Sequence, residues 1–227
     1  MNIENFEILP STQDYAREKR VLGEDLIVTA KAQTDGKGTK GRSFSSFEGG
    51  MYLSKLSFYE NFPTKEAFKI MAGAAVAVCE TLRHFGLKAV VKWPNDIFVN
   101  DKKICGILIE NVFSGKNISS SIVGIGLNVN NSLPAELLEI ATSMQAETGK
   151  TFSVEEVRDR LIEELSRPRE MDEYLSFLGY MEREVTLIIN DERIPATLLF
   201  VDNEGGLTVE IEGEKRRLTA AEVSIRL

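Results

Sequence analysis

Three cations, Lys37, Lys40 and Arg42, are interleaved with three glycines, Gly36, Gly38 and Gly41, in the stretch TDGKGTKGRSF at 34–44. Exposed glycine amides beside cations make a concavity that suits an anion, phosphate above all. A second stretch, VKWPNDIFVNDKKICGILIE at 91–110, places Asn95 and Asp96 in a Trp-Pro-Asn-Asp turn and Lys103 seven residues beyond Asp96, where an apolar strand begins. A lysine entering such a strand either carries its ammonium out to water or meets an anion. In VGIGLNVN at 123–130, Gly124 and Gly126 interrupt a run of Val, Ile and Leu, and strand alternation sets Asn128 on their face. Glycines there weaken a strand unless something approaches its backbone closely, so this face reads as one wall of a small-molecule pocket or as a bulge with a hydrogen-bonded Asn.

Two common anion motifs are excluded. Gly36, Gly38 and Gly41 fit G-x-G-x-x-G, but Gly41 leads into RSFSSFEGGMYLSKLSF, which is rich in Ser and Gly and then alternates like a strand. A dinucleotide fingerprint needs a helix at that point. The Walker pattern fails on its glycine spacing. What remains is a loop joining two strands, which either wraps phosphate or is a flexible basic hairpin loop.

The elements that must position these residues can be read from periodicity. STQD at 11–14 starts a helix, with Ser11 capping the amide near Asp14. From Thr64 to Phe85, apolar residues fall at helical spacing, and Gly86 follows as a stop. KAVVKWP, DIFVN, KKICGILIENVF and SSSIVGIGLNVN read as successive antiparallel strands separated by turn residues. SVEE at 153–156 is a capping box, and the helix it opens breaks at Pro168, with a second piece running toward Leu178. After Gly179, short alternating segments turn at Asn190–Asp191, Asn203 to Gly206 and Gly213, which predicts a small barrel docked on the main unit. The expected class is α+β: a mixed or antiparallel sheet with flanking helices over 1–179, and a small β-barrel over 180–227.

Composition bounds the function. A chain of 227 residues buries one full core and a small second one. A net charge of −8 and a pI near 5.0 argue against a DNA-coating surface. Cys79 and Cys105 are isolated, the N-terminal MNIENFEILP has no apolar signal, and no apolar run is long enough for a membrane span, so a cytoplasmic location is expected. With one histidine, His84, no zinc site is expected; His84 is placed to cap the last carbonyls of its helix.

STQ, AQTDGKGTKGRSF, KWPND followed by KKICGILIE, and GIGLNVN occur in the order and spacing of biotin protein ligases, and the chain resembles that family from 11 to 130. The tail, down to AAEVSIR, is similar to the family's SH3-like C-terminal domain. The resemblance implies an ATP-dependent enzyme that adenylates biotin and passes it to a lysine of a biotin carboxyl carrier domain. Larger bacterial members add a DNA-binding repressor domain; this chain looks like the ligase-only class. Whether it is a monomer or a homodimer stays open.

Carried over by residue, the resemblance implies that Ser11, Thr12 and Gln33 bind the ureido head of biotin. Gly36, Lys37, Gly106, Leu108, Gly124 and Gly126 complete the biotin site. Lys103 meets the biotin carboxylate and the α-phosphate, Arg42 faces phosphates and Asp96 receives the acceptor lysine, making these three the catalytic group. Gly38, Thr39, Lys40 and Lys92 join the nucleotide site with Phe44, which stacks on adenine, and with Asn95 and Asn128, which lie near the nucleotide and its Mg2+; no residue is assigned as a metal ligand.

The family loop commonly reads Gly-Arg-Gly-Arg-x-Gly-Arg; here Lys37 and Thr39 replace the first two arginines, and Gln13 replaces the usual Asn after Ser-Thr. Thr39 offers a neutral hydrogen bond and no charge, so either Lys40 substitutes or the adenylate is held more loosely, and a faster leak of the adenylate is expected. The rival readings are a lipoate or octanoate ligase or transferase of the same fold, for which Cys105 is a poor nucleophile, and a non-catalytic biotin or adenylate binder. Retention of Lys103, Arg42, Asp96 and Asn128 speaks against the binder.

Overall fold

The computed structural model describes residues 2–189, 191–221 and 223–226. It opens with a strand, β1 (Asn2–Leu9), a helix, α1 (Thr12–Lys19), and a strand, β2 (Leu26–Gln33). The Ser11 hydroxyl accepts from the Asp14 amide at 3.3 Å, giving the first turn of α1 a partner it would otherwise lack. α1 is the crossover between β1 and β2, which pair in parallel. The sequence had indicated no strand before Ser11: Ile3 and Ile8 are exposed, and only Phe6 and Leu9 pack against the α1 side.

β3 (Met51–Pro63) returns antiparallel to β2 after the glycine loop. A single 3-10 turn, Thr64–Glu66, leads into α2 (Ala67–His84), which Gly86 ends at φ +84. The expected cap by His84 is not what forms. The main-chain amides of Phe85 and Leu87 reach back to Thr81 and Leu82, and the His84 ring lies edge-on to Phe85. β4 (Val90–Lys92), β5 (Asp96–Val99), β6 (Lys102–Ser114) and β7 (Asn117–Leu127) complete a seven-stranded sheet in the order β1-β2-β3-β7-β6-β5-β4. Every pair except β1–β2 is antiparallel.

Three helices follow: α3 (Met144–Thr148), α4 (Val154–Leu165) and α5 (Met171–Phe177). α3 was not legible in the sequence. α4 starts at a Ser153 cap on the Glu156 amide and stops before Pro168, but the reciprocal capping box forms on α5, between Glu170 and Glu173. Alternation sorts the sheet's two faces. Leu26, Val28, Leu56 and Ile122 pack with Ala16 of α1, whereas Ile27, Leu53 and Val123 join the core beneath α2, α4 and α5.

The tail forms β8 (Glu184–Ile189), β9 (Glu192–Val201), β10 (Leu207–Ile211), β11 (Glu214–Leu218) and β12 (Ser224–Arg226), a five-stranded antiparallel sheet in the order β11-β10-β9-β8-β12. Asp191, Gly205 and Gly213 take positive φ in its turns. Asn190 of the first expected turn and Glu222 of the closing motif lie outside the described residues. Val185, Leu187, Leu198, Leu207 and Val209 belong to the same buried cluster as α2, so the small sheet shares the large core. No helix among the described residues is long and apolar enough to cross a membrane.

Candidate functional site

α1, β2, β3, β6 and β7 enclose a cavity of about 50 Å³ that adjoins a groove of about 1040 Å³ between the two sheets. The end of the cavity at the start of α1 is polar. Gln33 Oε1 accepts from the Thr12 amide at 2.7 Å and from its hydroxyl at 3.0 Å. Ser54 Oγ, on the neighbouring strand β3, donates toward Thr12 Oγ1 at 2.9 Å and Gln13 Oε1 at 3.2 Å. Ser11, Thr12 and Gln33, the set the resemblance implied, thus line one end of the cavity, with Gln13 and Ser54 beside them. The signal for Ser54 was present in MYLSKLSF, where a small polar residue alternates onto the face of buried Tyr52 and Leu56.

The apolar wall is set by register. Gly106 pairs with Gly126 and Leu108 with Gly124 across β6 and β7. Side chains at these glycines would collide: a Cβ at Gly124 would stand 2.4 Å from Gln13 Oε1, and one at Gly126 would stand 2.6 Å from the Phe44 ring. Phe44 therefore lies on the glycine wall, edge-on to Tyr52 at 6.5 Å, where it lines both the cavity and the groove. The loop folds back through the Phe44 amide, which donates to the Gly36 carbonyl, and this return is what aims the ring inward. Gly36 does not line the cavity; its Cα faces the Phe44 carbonyl and Ser46.

Lys103 and Asp96 stand on the wall shared by cavity and groove, 2.6 Å apart. The β5–β6 hairpin brings them together. The Lys103 ammonium also lies 5.9 Å from the centre of the Phe44 ring. Asn95 lines both spaces, but its amide donates to the Ile107 carbonyl, which fixes the turn. Trp93 donates from Nε1 to the Gly205 carbonyl of the tail, and Tyr174 donates to the Pro94 carbonyl, so the Trp-Pro-Asn-Asp turn is held from both sides. Asn128 departs from the expected alternation. β7 ends at Leu127, and the Asn128 side chain is buried against Thr142 and Asn131, lining the groove and not the cavity.

The glycine loop spreads its cations. Lys37 reaches the cavity rim, where its ammonium lies 2.5 Å from Asp35 and 3.8 Å from Asp14; the hydrogen bond to Asp35 raises its pKa. Lys40, at φ 57, donates to the Val223 carbonyl. Lys40, Arg42 and Lys92 all line the groove, and Gly38 and Thr39 line both spaces. Cys105 is fully buried in the core beneath α2, and desolvation pushes its thiol well above the ordinary range, which suits packing and not nucleophilic attack. Among the described residues no group of three or more His, Cys, Asp or Glu could hold a metal ion. A magnesium ion would fit here as one carried on a nucleotide's phosphates, the usual mode for this ion.

This arrangement can hold a small acid with its polar head at α1 and its carboxylate at Lys103, beside a cation-lined groove. Sequence and structure comparisons show what the chain is similar to. The bifunctional ligase/repressor BirA of Bacillus subtilis is 37% identical over 150 residues, covering 63% of this chain and 46% of that protein. The chain thus spans about half the length of that relative. BirA of Escherichia coli K12 is 29% identical over 238 residues, 96% of this chain and 72% of that one. A biotin protein ligase from Aquifex aeolicus, solved in complex with biotin and ATP, superposes with a TM-score of 0.81 at 29% identity, over 99% of this chain and 98% of that one. A model of the biotin/lipoate A/B protein ligase family matches residues 6–128, which hold the cavity, the glycine loop, Asp96 and Lys103, and the chain belongs to that family.

Proposed function

We propose that the protein is a biotin protein ligase that adenylates biotin with ATP and transfers the biotinyl group to a lysine of a biotin carboxyl carrier protein. The observation that carries this reading is Lys103, placed where a small cavity with a hydrogen-bonding end meets a groove lined by Lys40, Arg42 and Lys92. The polar end formed by Thr12, Gln33 and Ser54 suits a cyclic urea, which offers both donors and acceptors. A purely aliphatic acid would leave the remaining Gln33 Nε2 hydrogen unmatched at a cost of about 1–3 kcal/mol. The likeness to the Aquifex ligase, which binds biotin and ATP, supports the same assignment.

In this reading residues 1–179 form the catalytic unit and 180–227 an SH3-like domain. A carboxylate oxygen of biotin attacks the α-phosphorus of ATP; the new oxygen–phosphorus bond replaces the bond to the β-phosphate, and pyrophosphate leaves. Two anions must approach each other, so Lys103, Arg42 and the loop amides act chiefly by placing positive charge between them. Lys103 exchanges Asp96 for the biotin carboxylate as the acid enters. Asp96 then faces the groove, where it orients the carrier amine. The amine nitrogen bonds to the activated carbonyl carbon, AMP leaves, and the surplus proton passes to Asp96 or solvent. No enzyme nucleophile takes part. Magnesium supplies charge neutralisation on the phosphates when bound with the nucleotide.

The test is exchange of labelled pyrophosphate into ATP with biotin, lipoate and octanoate in parallel. Exchange with biotin alone is the expected result. Exchange with lipoate or octanoate instead would move the chain to the lipoate branch of the family, and none with any acid would leave a binding protein.

A further inference from the structure

Ser46 belongs to none of the motifs that mark the site, yet it is buried at 5% exposure beside the polar end of the cavity. Its hydroxyl accepts from Gln33 Nε2 at 2.8 Å and donates to the Phe44 carbonyl at 2.9 Å. The Gln33 main-chain amide also donates to the Ser46 carbonyl at 2.9 Å, so the two residues are clasped by backbone and side chain.

The polarity of this chain is fixed at both ends by groups that have no choice. A main-chain carbonyl only accepts, so the single Ser46 proton goes to Phe44 and a Ser46 lone pair faces Gln33. A main-chain amide only donates, so the Thr12 amide must meet Gln33 Oε1. The Gln33 carboxamide is thereby held in one of its two flipped states, with oxygen toward Thr12 and nitrogen toward Ser46. One Nε2 hydrogen is taken by Ser46, and the other is what Gln33 has left to give a ligand. Gly36 makes the clasp possible. A Cβ there would stand 2.4 Å from both the Phe44 carbonyl oxygen and the Ser46 hydroxyl, and 3.2 Å from Gln33 Nε2.

We propose that Ser46 is a positioning residue for recognition of the acid's head group: it locks Gln33 as a hydrogen donor, so the pocket selects a head that carries a carbonyl-type acceptor, as a urea does. This rests on the reading of the cavity as a biotin-adenylating site.

The test is a double-mutant cycle on pyrophosphate exchange using Ser46→Ala, Gln33→Ala and the double variant. Loss of one neutral hydrogen bond together with the amide's fixed orientation should raise the KM for biotin about tenfold in Ser46→Ala. The KM for ATP and kcat should stay within about twofold, which a general loosening of the fold would not allow. Because Ser46 acts through Gln33, Ser46→Ala should add nothing to the biotin KM in the Gln33→Ala background. Additive effects, an unchanged biotin KM in Ser46→Ala, or a loss confined to kcat or to the KM for ATP would each overturn the proposal. Ser46→Thr, which keeps the hydroxyl, should restore the biotin KM if Ser46→Ala is too unstable to assay; a Thr variant that folds with the KM still raised counts against it. Failure of the wild-type protein to exchange with biotin would instead overturn the reading of the site itself.

Discussion

Lys103 Nζ and Asp96 Oδ1 lie 2.6 Å apart on the wall between the small cavity and the groove. The hairpin that joins β5 to β6 delivers both, one to each strand, so the pair is built into the sheet and not into the loop. Each is about one-third exposed or less, at 33% and 26% for the side chains, so the two charges face each other at a partly buried position.

If Asp96 orients the carrier amine, the two half-reactions should respond to it differently. Asp96→Asn is expected to slow transfer to the carrier by about 10²–10⁴-fold, the range for a positioned proton acceptor. Biotin-dependent pyrophosphate exchange should stay within a few-fold of wild type, since Lys103 remains to meet the carboxylate. Parallel exchange and transfer assays check this. Equal loss in both would mean that Asp96 serves adenylation, through Lys103.

Thr39 lines both cavity and groove, where the family loop commonly carries an arginine. Its carbonyl accepts from Arg42 Nε at 3.3 Å, so the side chain has only a hydroxyl to offer a phosphate. Thr39→Arg should slow escape of the biotinyl-adenylate about tenfold, the difference between a neutral and a charge-assisted hydrogen bond. Chemical trapping of the released adenylate measures it, and an unchanged leak would show that Lys40 already fills the role.

Burial raises the pKa of both Cys79 and Cys105, so at any working pH their thiolate fraction is below that of a free cysteine. Cys105→Ala should keep exchange and transfer within about threefold, with a stability loss of about 1 kcal/mol from the small cavity. Neither thiol should react with iodoacetamide at pH 8 until the protein unfolds. Loss of transfer with exchange intact would point to a covalent acyl–cysteine route.

Much of this arrangement was legible because it is local. The Ser11 cap, the Gly86 stop and the strands flanking KWPND follow from spacing within a few residues, and a short hairpin brings Lys103 to Asp96. What escaped depends on distant partners. β1 is a strand only because β2 pairs with it in parallel across α1. Phe44 is aimed by the fold of its loop and by two glycines more than sixty residues away, and no periodicity in RSFSSFEGG encodes that. Ser46 and Ser54 are ordinary small polar residues until tertiary structure sets Gln33 and Thr12 against them.

On the far side of the sheet Glu164 is buried at 1% exposure and meets Arg160, Arg167 and Arg169. It ties the end of α4 to the segment entering α5, which packs on β4 ahead of the Trp-Pro-Asn-Asp turn. Glu164→Gln removes the charge that three guanidinium groups share. Because the three arginines are partly exposed and keep Glu163 and Glu173, the loss should destabilise the fold by about 1–3 kcal/mol. Urea denaturation checks this, and a loss under 1 kcal/mol would mean that Glu163 and Glu173 take over the arginines.

The Trp93 indole joins the Trp-Pro-Asn-Asp turn to the tail through its 3.0 Å bond to the Gly205 carbonyl. Gly205 cannot easily be replaced: its φ is +83, and a Cβ would stand 2.1 Å from the Phe68 ring. Arg217 steadies the same turn through Asp202, which accepts from Arg217 Nε at 2.6 Å and from the Glu204 and Gly206 amides. Since the tail's apolar residues share one buried cluster with α2, the two sheets should melt in a single calorimetric transition. Trp93→Phe keeps an aromatic side chain but deletes the donor and part of the packing, so that leaving the buried carbonyl unpaired alone costs about 1–3 kcal/mol. Its single transition should fall in temperature without splitting. Two transitions, in the wild type or in the variant, would show that the tail is an independent unit and that the indole bond is incidental to its docking.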